Sequence, residues 1–171
     1  INAVRNLGNG QYELTVHLGE LTDVVAGENL MLNFNTVNVT SIGENAFRNL
    51  SHSFTLSFAK SVETIGSYAF YGRQVGSIDF VNVISIDDYA FTNCLSLETV
   101  EFGDKIQSLG IHSFENCISL ISLSFTESFE YIGDGAFGNC TSLENIDFGN
   151  NIKTIKSYAF YNCSSLKSLN I

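Results

Sequence analysis

The sequence predicts an α/β repeat protein: a solenoid of about six coils, with parallel strands stacked on one face and short helical turns on the other. A strand cap is expected at the N-terminus. The main observation is a recurring pattern whose central phenylalanines are 23 residues apart, except for one step of 21, at Phe47, Phe70, Phe91, Phe114, Phe137 and Phe160. Self-similarity at one fixed period is the signature of stacked repeats.

The first 28 residues do not follow this pattern. Apolar and polar residues alternate from Tyr12 to Leu18, as expected for a half-buried strand. A solenoid must cover its first apolar coil, and terminal coils usually depart from the consensus. We therefore predict an N-terminal cap at residues 1–28 and a single solenoid at residues 29–171.

Each coil then carries two groups of apolar residues that predict strands. The first is a pair two residues apart, such as Leu32 and Phe34, which recurs as Leu56/Phe58, Ile78/Phe80, Val100/Phe102, Leu123/Phe125, Ile146/Phe148 and Leu169/Ile171. Alternation of this kind indicates a short strand with its apolar side chains directed inward. The second position predicts a bend or a short second strand on the opposite side, at Val39, Val62, Val83, Ile106, Phe129 and Ile152.

Between these groups the spacing indicates a short helix. Ile86, Ala90 and Cys94 recur at intervals of four, which places them on one helical face. The coil that begins at Ile65 is two residues shorter and has Arg73 in the cysteine position, so we expect the stack to loosen or shift there.

The residues offer little for catalysis or metal binding. The four cysteines fall one per coil, at Cys94, Cys117, Cys140 and Cys163, and this spacing favours buried free thiols over a metal site. The three histidines, His17, His52 and His112, are not spaced as ligands. Because nucleophile-elbow, zinc-protease and phosphate-loop motifs are also missing, we expect a protein without cofactor, metal or enzymatic activity.

The charge excludes other classes of partner. A formal net charge of −10 with only eight Lys and Arg argues against nucleic acid and anionic membranes, which need a basic surface. No apolar run approaches the roughly 18 residues of a membrane span, so no membrane insertion is expected.

The pattern I-G-x-x-A-F-x-N-C-x-S-L-x-x-L-x-F, clearest from Ile86 onward, resembles the BspA-like leucine-rich repeat, a 23-residue class found in bacterial and protist surface proteins. The resemblance covers about residues 29–171. It implies a leucine-rich-repeat solenoid in a secreted or cell-surface protein that mediates adhesion to host matrix proteins or to other cells.

The outward residues of the predicted strand stack form the candidate binding face, at Asn33, Ser57, Asp79, Glu101, Ser124, Asp147 and Asn170. Small polar side chains suit hydrogen bonds to an extracellular glycan or protein, and the acids suit a basic protein segment. A rival surface is the edge that carries Tyr71 and Tyr161. A structural spacer without a ligand is the alternative function. Because the last coil has no polar cap, end-to-end self-association is also expected.

Overall fold

The chain forms a parallel β-solenoid. The computed structural model describes residues 3–8, 11–15, 30–33, 39–48, 54–57 and 62–170, and the stretch from 62 to 170 winds through about four turns of the 23-residue period. Each coil contributes one strand to each of two sides, and the apolar side chains of successive coils fill the space between them.

The larger sheet runs along one side of the solenoid and begins with an antiparallel hairpin of β1 (Ala3–Gly8) and β2 (Gln11–Thr15). A parallel ladder continues from β2 through β4 (Val39–Ile42), β6 (Thr64–Ile65), β8 (Ser85–Ile86), β10 (Ser108–Leu109), β12 (Tyr131–Ile132) and β14 (Thr154–Ile155). The second apolar group of each coil therefore leads into a strand. The hairpin lies within the predicted cap, and the boundary between residues 28 and 29 stays a prediction.

The opposite side is the strand face, and its strands form separate hydrogen-bonded sheets. They are β3 (Leu30–Asn33) with β5 (Phe54–Ser57), β7 (Ser77–Phe80) with β9 (Thr99–Phe102), and β11 (Ser122–Ser124), β13 (Asn145–Asp147) and β15 (Ser168–Asn170). In β7 and β9 exposed and buried residues alternate, because successive side chains of a strand point to opposite faces. This confirms the predicted inward pairs of these two coils.

Two columns of phenylalanine rings form the centre of the core. The repeat phenylalanines, from Phe47 to Phe160, stack nearly parallel with centroids 4.8–5.5 Å apart. Phenylalanines behind the strand face form the second column, and Phe125 meets Phe137 of the first column edge-on at 6.0 Å. Offset-stacked and edge-on contacts are the favoured geometries of aromatic pairs, so both columns gain more than buried area.

The predicted helical turns are wrong: no helix occurs in the described residues. Alternate N–H groups here bond to the next coil, as when Phe91 N–H donates to Ser113 O at 2.7 Å, while those between them close turns on the carbonyl three residues earlier. Tyr89 and Asn93 have positive φ, which breaks any helical run. The spacing of four between Ile86, Ala90 and Cys94 therefore arises from successive turns and not from a helix. We call this side, residues 44–48 and its equivalents in later coils, the turn flank.

The shorter coil keeps its register on the larger sheet and with the coil that follows, but among the described strands its β7 is not paired with β5 of the coil before it, as expected for a loosened stack. Ile65 pairs with Ile86 on the larger sheet, and Asp79 pairs with Glu101 on the strand face. Compared with the next coil, one residue is missing between Arg73 and β7 and one between Phe80 and Val83; Val75, which takes the position of Leu97, is buried. Burial lowers the pKa of the Arg73 guanidinium, whose Nε–H donates to Tyr71 O at 3.2 Å.

Candidate functional site

The strand face brings the predicted outward residues into register. Asp79 lies directly opposite Glu101, and Asn33 opposite Ser57. Ser124, Asp147 and Asn170 are likewise aligned through β11, β13 and β15, all at outward positions of their strands. The side chains of Asp79, Glu101, Ser124 and Asp147 are exposed. The side chains of Asn33, Ser57 and Asn170 lie outside the described residues.

The carboxylates of Asp79 and Glu101 form an acidic pair on neighbouring strands. Strands of a sheet are ~4.8 Å apart, and two charges at that distance in water repel each other by about 1 kcal/mol. None of the ion pairs within the described residues reaches Asp79 or Glu101. The pair therefore presents two negative charges to solvent.

Asp147 is separated from this pair. The coil between them carries Ser124, and β9 and β11 belong to different sheets. One Asp147 carboxylate oxygen accepts the N–H of Gly149 at 3.1 Å, and Gly149 has a positive φ of 61°. The strand face thus has one close acidic pair and, two coils beyond Glu101, a third acid held by a turn.

The residues of the rival tyrosine edge, Tyr71 and Tyr161, occupy equivalent positions on the turn flank, several coils apart. Tyr71 is half-buried beneath the guanidinium of Arg48, which lies 4.9 Å from its ring centre, and is 5.7 Å from Tyr68. Tyr161 is exposed several coils away, where it meets Tyr158 edge-on at 6.0 Å. The structure therefore does not bring Tyr71 and Tyr161 together.

An aromatic stack on the turn flank was missed by sequence reasoning. Tyr68, Tyr89 and His112 occupy the same position in successive coils, with ring centres 4.8 and 5.2 Å apart. The Nδ1 of His112 also lies 3.2 Å from Glu115 Oε2. Aligning the residue two positions before each repeat phenylalanine would have shown this column. His112 is therefore packed against Tyr89 at the surface of the turn flank.

The cysteines form a column of free thiols, of which the first three are buried and Cys163 is half-buried. Each Sγ–H donates to a phenylalanine carbonyl of the preceding coil, as Cys94 does to Phe70 O at 3.3 Å. Burial raises the pKa of Cys94 to about 12. Because the thiolate is the nucleophile, these groups are unreactive at neutral pH.

Asp87 and Asp88 are two adjacent acidic residues away from the strand face. Desolvation, with the charge of Asp88 second, raises the pKa of Asp87. A cavity of about 360 Å³ is lined by these two residues together with Ser85, Ser108 and Tyr131. Within the described part of the chain, no three His, Cys, Asp or Glu residues are grouped to hold a metal ion. No helix there is long and apolar enough to span a membrane.

The repeat geometry agrees with a family comparison. The model of the BspA type leucine rich repeat region matches residues 29–84 and 74–171, in six copies. The chain belongs to the BspA-type leucine-rich repeat family. This confirms the resemblance drawn from the repeat pattern. Among curated proteins, none matches this chain.

Solved structures of bacterial repeat proteins share the fold. The leucine-rich repeat protein TpLRR of T. pallidum has a TM-score of 0.77 and 25% identity, over 94% of this chain and 74% of that one. The pneumococcal vaccine antigen PcpA has a TM-score of 0.61 and 18% identity, over 67% and 29%. A leucine rich cell surface protein of Faecalibacterium prausnitzii has a TM-score of 0.51 and 22% identity, over 77% of this chain and 51% of that one. This chain thus spans about half or less of the latter two.

Proposed function

We propose that this chain is a non-enzymatic recognition module of a secreted or cell-surface protein, and that its strand face mediates adhesion to host matrix proteins or to other cells. Membership of the BspA-type family supports a recognition or surface role. The similar F. prausnitzii protein is described as a cell surface protein. Since folds carry many functions, the site must supply the rest of the argument.

The observation that carries the proposal is the exposed acidic pair of Asp79 and Glu101, aligned on a regular sheet without a cationic partner in the described residues. Rigid, like-charged groups on an extended surface attract an oppositely charged segment and orient it during association. A basic segment of an extracellular protein is therefore the ligand that best fits this face. Glycans fit the neutral hydroxyl and amide positions, such as Ser124.

The groups that could support catalysis serve the scaffold instead. The thiol of Cys117 is buried, and burial raises its pKa far above the usual range. His112 is stacked on Tyr89. The carboxylates of Asp79, Glu101 and Asp147 are exposed on the outer side of their strands. These placements support recognition in preference to chemistry.

Binding to an array of extracellular-matrix proteins and glycans tests the proposal. The variant Asp79→Lys/Glu101→Lys/Asp147→Lys should remain folded and lose binding to its protein ligand. The matched control Glu44→Lys/Glu63→Lys/Asp134→Lys makes the same change in net charge on the other sides of the solenoid and should bind as the original chain does. Equal binding by both variants would place the site away from the strand face.

A structural spacer is the second candidate. The stacked phenylalanine column and the ladder of coil-to-coil hydrogen bonds give a rod that can hold another domain away from a surface. A spacer binds nothing on the array and tolerates charge reversal on any side. End-to-end association through the last coil also stays a prediction; a cavity of about 450 Å³ there is lined in part by Phe148, Ile152 and Ile155.

A further inference from the structure

Three exposed aliphatic side chains lie at the corner between the turn flank and the strand face. The exposed fractions are 49% for Leu95, 41% for Ile118 and 47% for Ile121. Leu95 and Ile118 each follow the cysteine of successive coils, and the Ser119 hydroxyl donates to Leu95 O at 2.7 Å, which ties the two coils together here. We call these three residues the apolar corner.

Ile121 brings the apolar corner to the margin of the strand face. It directly precedes β11 and lies in a backbone column with two glutamates. The Ile121 N–H donates to Glu98 O at 3.3 Å, and the Glu144 N–H donates to Ile121 O at 2.8 Å. An aliphatic side chain therefore takes the position that acidic residues hold in the coils on either side.

The surface next to the apolar corner is acidic. Glu98 and Glu101 are exposed two coils before β13, and Glu144 and Asp147 lie one coil beyond Ile121. Lys167 lies beside this region, with its Nζ 2.8 Å from Glu144 Oε1. Among the described residues, this region therefore keeps an excess of negative charge around a small aliphatic patch.

We infer that the apolar corner anchors the partner of the strand face, and that this partner is a basic peptide segment which also carries aliphatic or aromatic side chains. The inference rests on the proposed function and adds the apolar half of the ligand. Tight interfaces place apolar anchors at a desolvated centre and charged groups around them. The strand face alone offers charged and small polar groups, which steer a ligand but hold it weakly.

The charges select the ligand class. A neutral apolar segment would bury Leu95 and Ile118 but would also desolvate the neighbouring carboxylates without pairing them, which is unfavourable. An acidic segment would be repelled. Lysine or arginine residues alternating with aliphatic ones satisfy both requirements, since they place cations against Glu98 and Glu101 and aliphatic groups against Ile118 and Ile121.

Fluorescence anisotropy with short synthetic peptides tests this inference. One peptide alternates Lys with Leu, one Lys with Ser and one Glu with Leu. The variant Leu95→Ser/Ile118→Ser/Ile121→Ser removes the apolar corner. The matched control Ile84→Ser/Ile111→Ser changes two isoleucines that are each 40% exposed elsewhere on the solenoid. Circular dichroism and melting temperature verify that each variant is folded.

The Lys–Leu peptide should bind the original chain and the control variant equally, and should bind the apolar-corner variant at least about tenfold more weakly. The Lys–Ser peptide should bind more weakly and be indifferent to the loss of the corner. Equal binding of Lys–Leu peptide by the original chain and the corner variant would overturn the inference, as would tighter binding of the Glu–Leu peptide.

The proposed function fails in a different way. If it is correct, Asp79→Lys/Glu101→Lys/Asp147→Lys abolishes binding of the Lys–Ser peptide, which does not depend on the corner. Suppose the charge reversal abolishes binding of the Lys–Ser peptide, but the apolar-corner variant binds the Lys–Leu peptide as tightly as the original chain does. The proposed acidic site on the strand face would then stand, and the inferred apolar anchor would be wrong. Binding of Lys–Ser peptide that survives the charge reversal would remove the strand-face site itself.

Discussion

The turn flank and the strand face are built from the same coils, and both are backed by stacked phenylalanines. The backbone hydrogen bonds of the turn flank continue from coil to coil, whereas the strands of the strand face are divided. On the turn flank, N–H groups such as those of Phe91 and Phe114 donate to the next coil, and their rings stack at 5.1 Å. On the strand face the described strands fall into separate sheets, and the outward residue changes from Glu101 to Ser124 to Asp147.

This difference separates stability from recognition. In a repeat protein each coil is stabilised mainly by its neighbours, so the contacts that repeat hold the fold together. The outward positions of the strand face take no part in those contacts and can differ from coil to coil. Substitutions on the two sides should therefore have effects of very different size.

The largest effect is expected at the stacked ring of Phe137. It is fully buried, lies between Phe114 at 5.3 Å and Phe160 at 5.5 Å, and meets Phe125 edge-on. Phe137→Ala should lower the free energy of unfolding by roughly 3–5 kcal/mol, because it removes these contacts and leaves a cavity. Urea denaturation measures the change, and a loss below ~1 kcal/mol would contradict the role given to this column.

A smaller loss is expected in the thiol column. Cys140 is fully buried, and its Sγ–H donates to Phe114 O at 3.4 Å. Cys140→Ser buries a more strongly solvated group on a shorter side chain, which should cost about 1–2 kcal/mol. Thermal melting of the reduced protein gives the comparison. An unchanged melting temperature would mean that this position accepts a hydroxyl as well as a thiol.

A gain is expected at Ser113. This serine occupies the position held by Ala90 and Ala136 in the adjacent coils, and its buried hydroxyl has no hydrogen-bond partner among the described residues. Ser113→Ala should raise the free energy of unfolding by about 1 kcal/mol, because it removes an unsatisfied polar group. Urea denaturation beside the control Ser122→Ala, an exposed position, tests this; equal changes in both variants would contradict it.

The smallest change is expected on the strand face. Glu101→Lys places a cation directly opposite Asp79 and replaces repulsion by attraction across the sheet. At an exposed site this should raise the free energy of unfolding by no more than about 0.5 kcal/mol, and less in high salt. Denaturation at low and high ionic strength measures it. A loss above ~1 kcal/mol would show that the strand face contributes to the scaffold.

The strands could be predicted because their side chains alternate every two residues and only one face of each strand is buried. Ile78 and Phe80 face inward while Asp79 faces outward, as their alternation indicates. The fixed 23-residue spacing then aligned each outward residue with its neighbour. The sequence also led correctly to buried thiols at Cys94, Cys117 and Cys140, since a cysteine repeated at one inward position behaves as a small apolar residue.

The turns could not be predicted because two structures give the same apolar spacing. Apolar residues at intervals of four fit a helix. They also fit successive turns in which alternate backbone N–H groups donate to carbonyls of the next coil. The decisive feature is positive φ at Tyr68 and Tyr89, which tyrosine rarely adopts. The apolar corner was missed because Leu95 and Ile118 fall at a variable position of the repeat, where the later coils have Thr141 and Ser164, so the period does not mark them.

The hydrogen bonds of the turn flank also set how the molecule responds to force. They run between coils, from N–H groups such as that of Tyr89 to carbonyls such as that of Ile111, and so lie along the solenoid axis. A pull along this axis loads the coils in series and opens them one at a time. Each coil of 23 residues would release roughly 80 Å of extended chain. A rod of this kind would lengthen under load in steps and so limit the tension between its two ends.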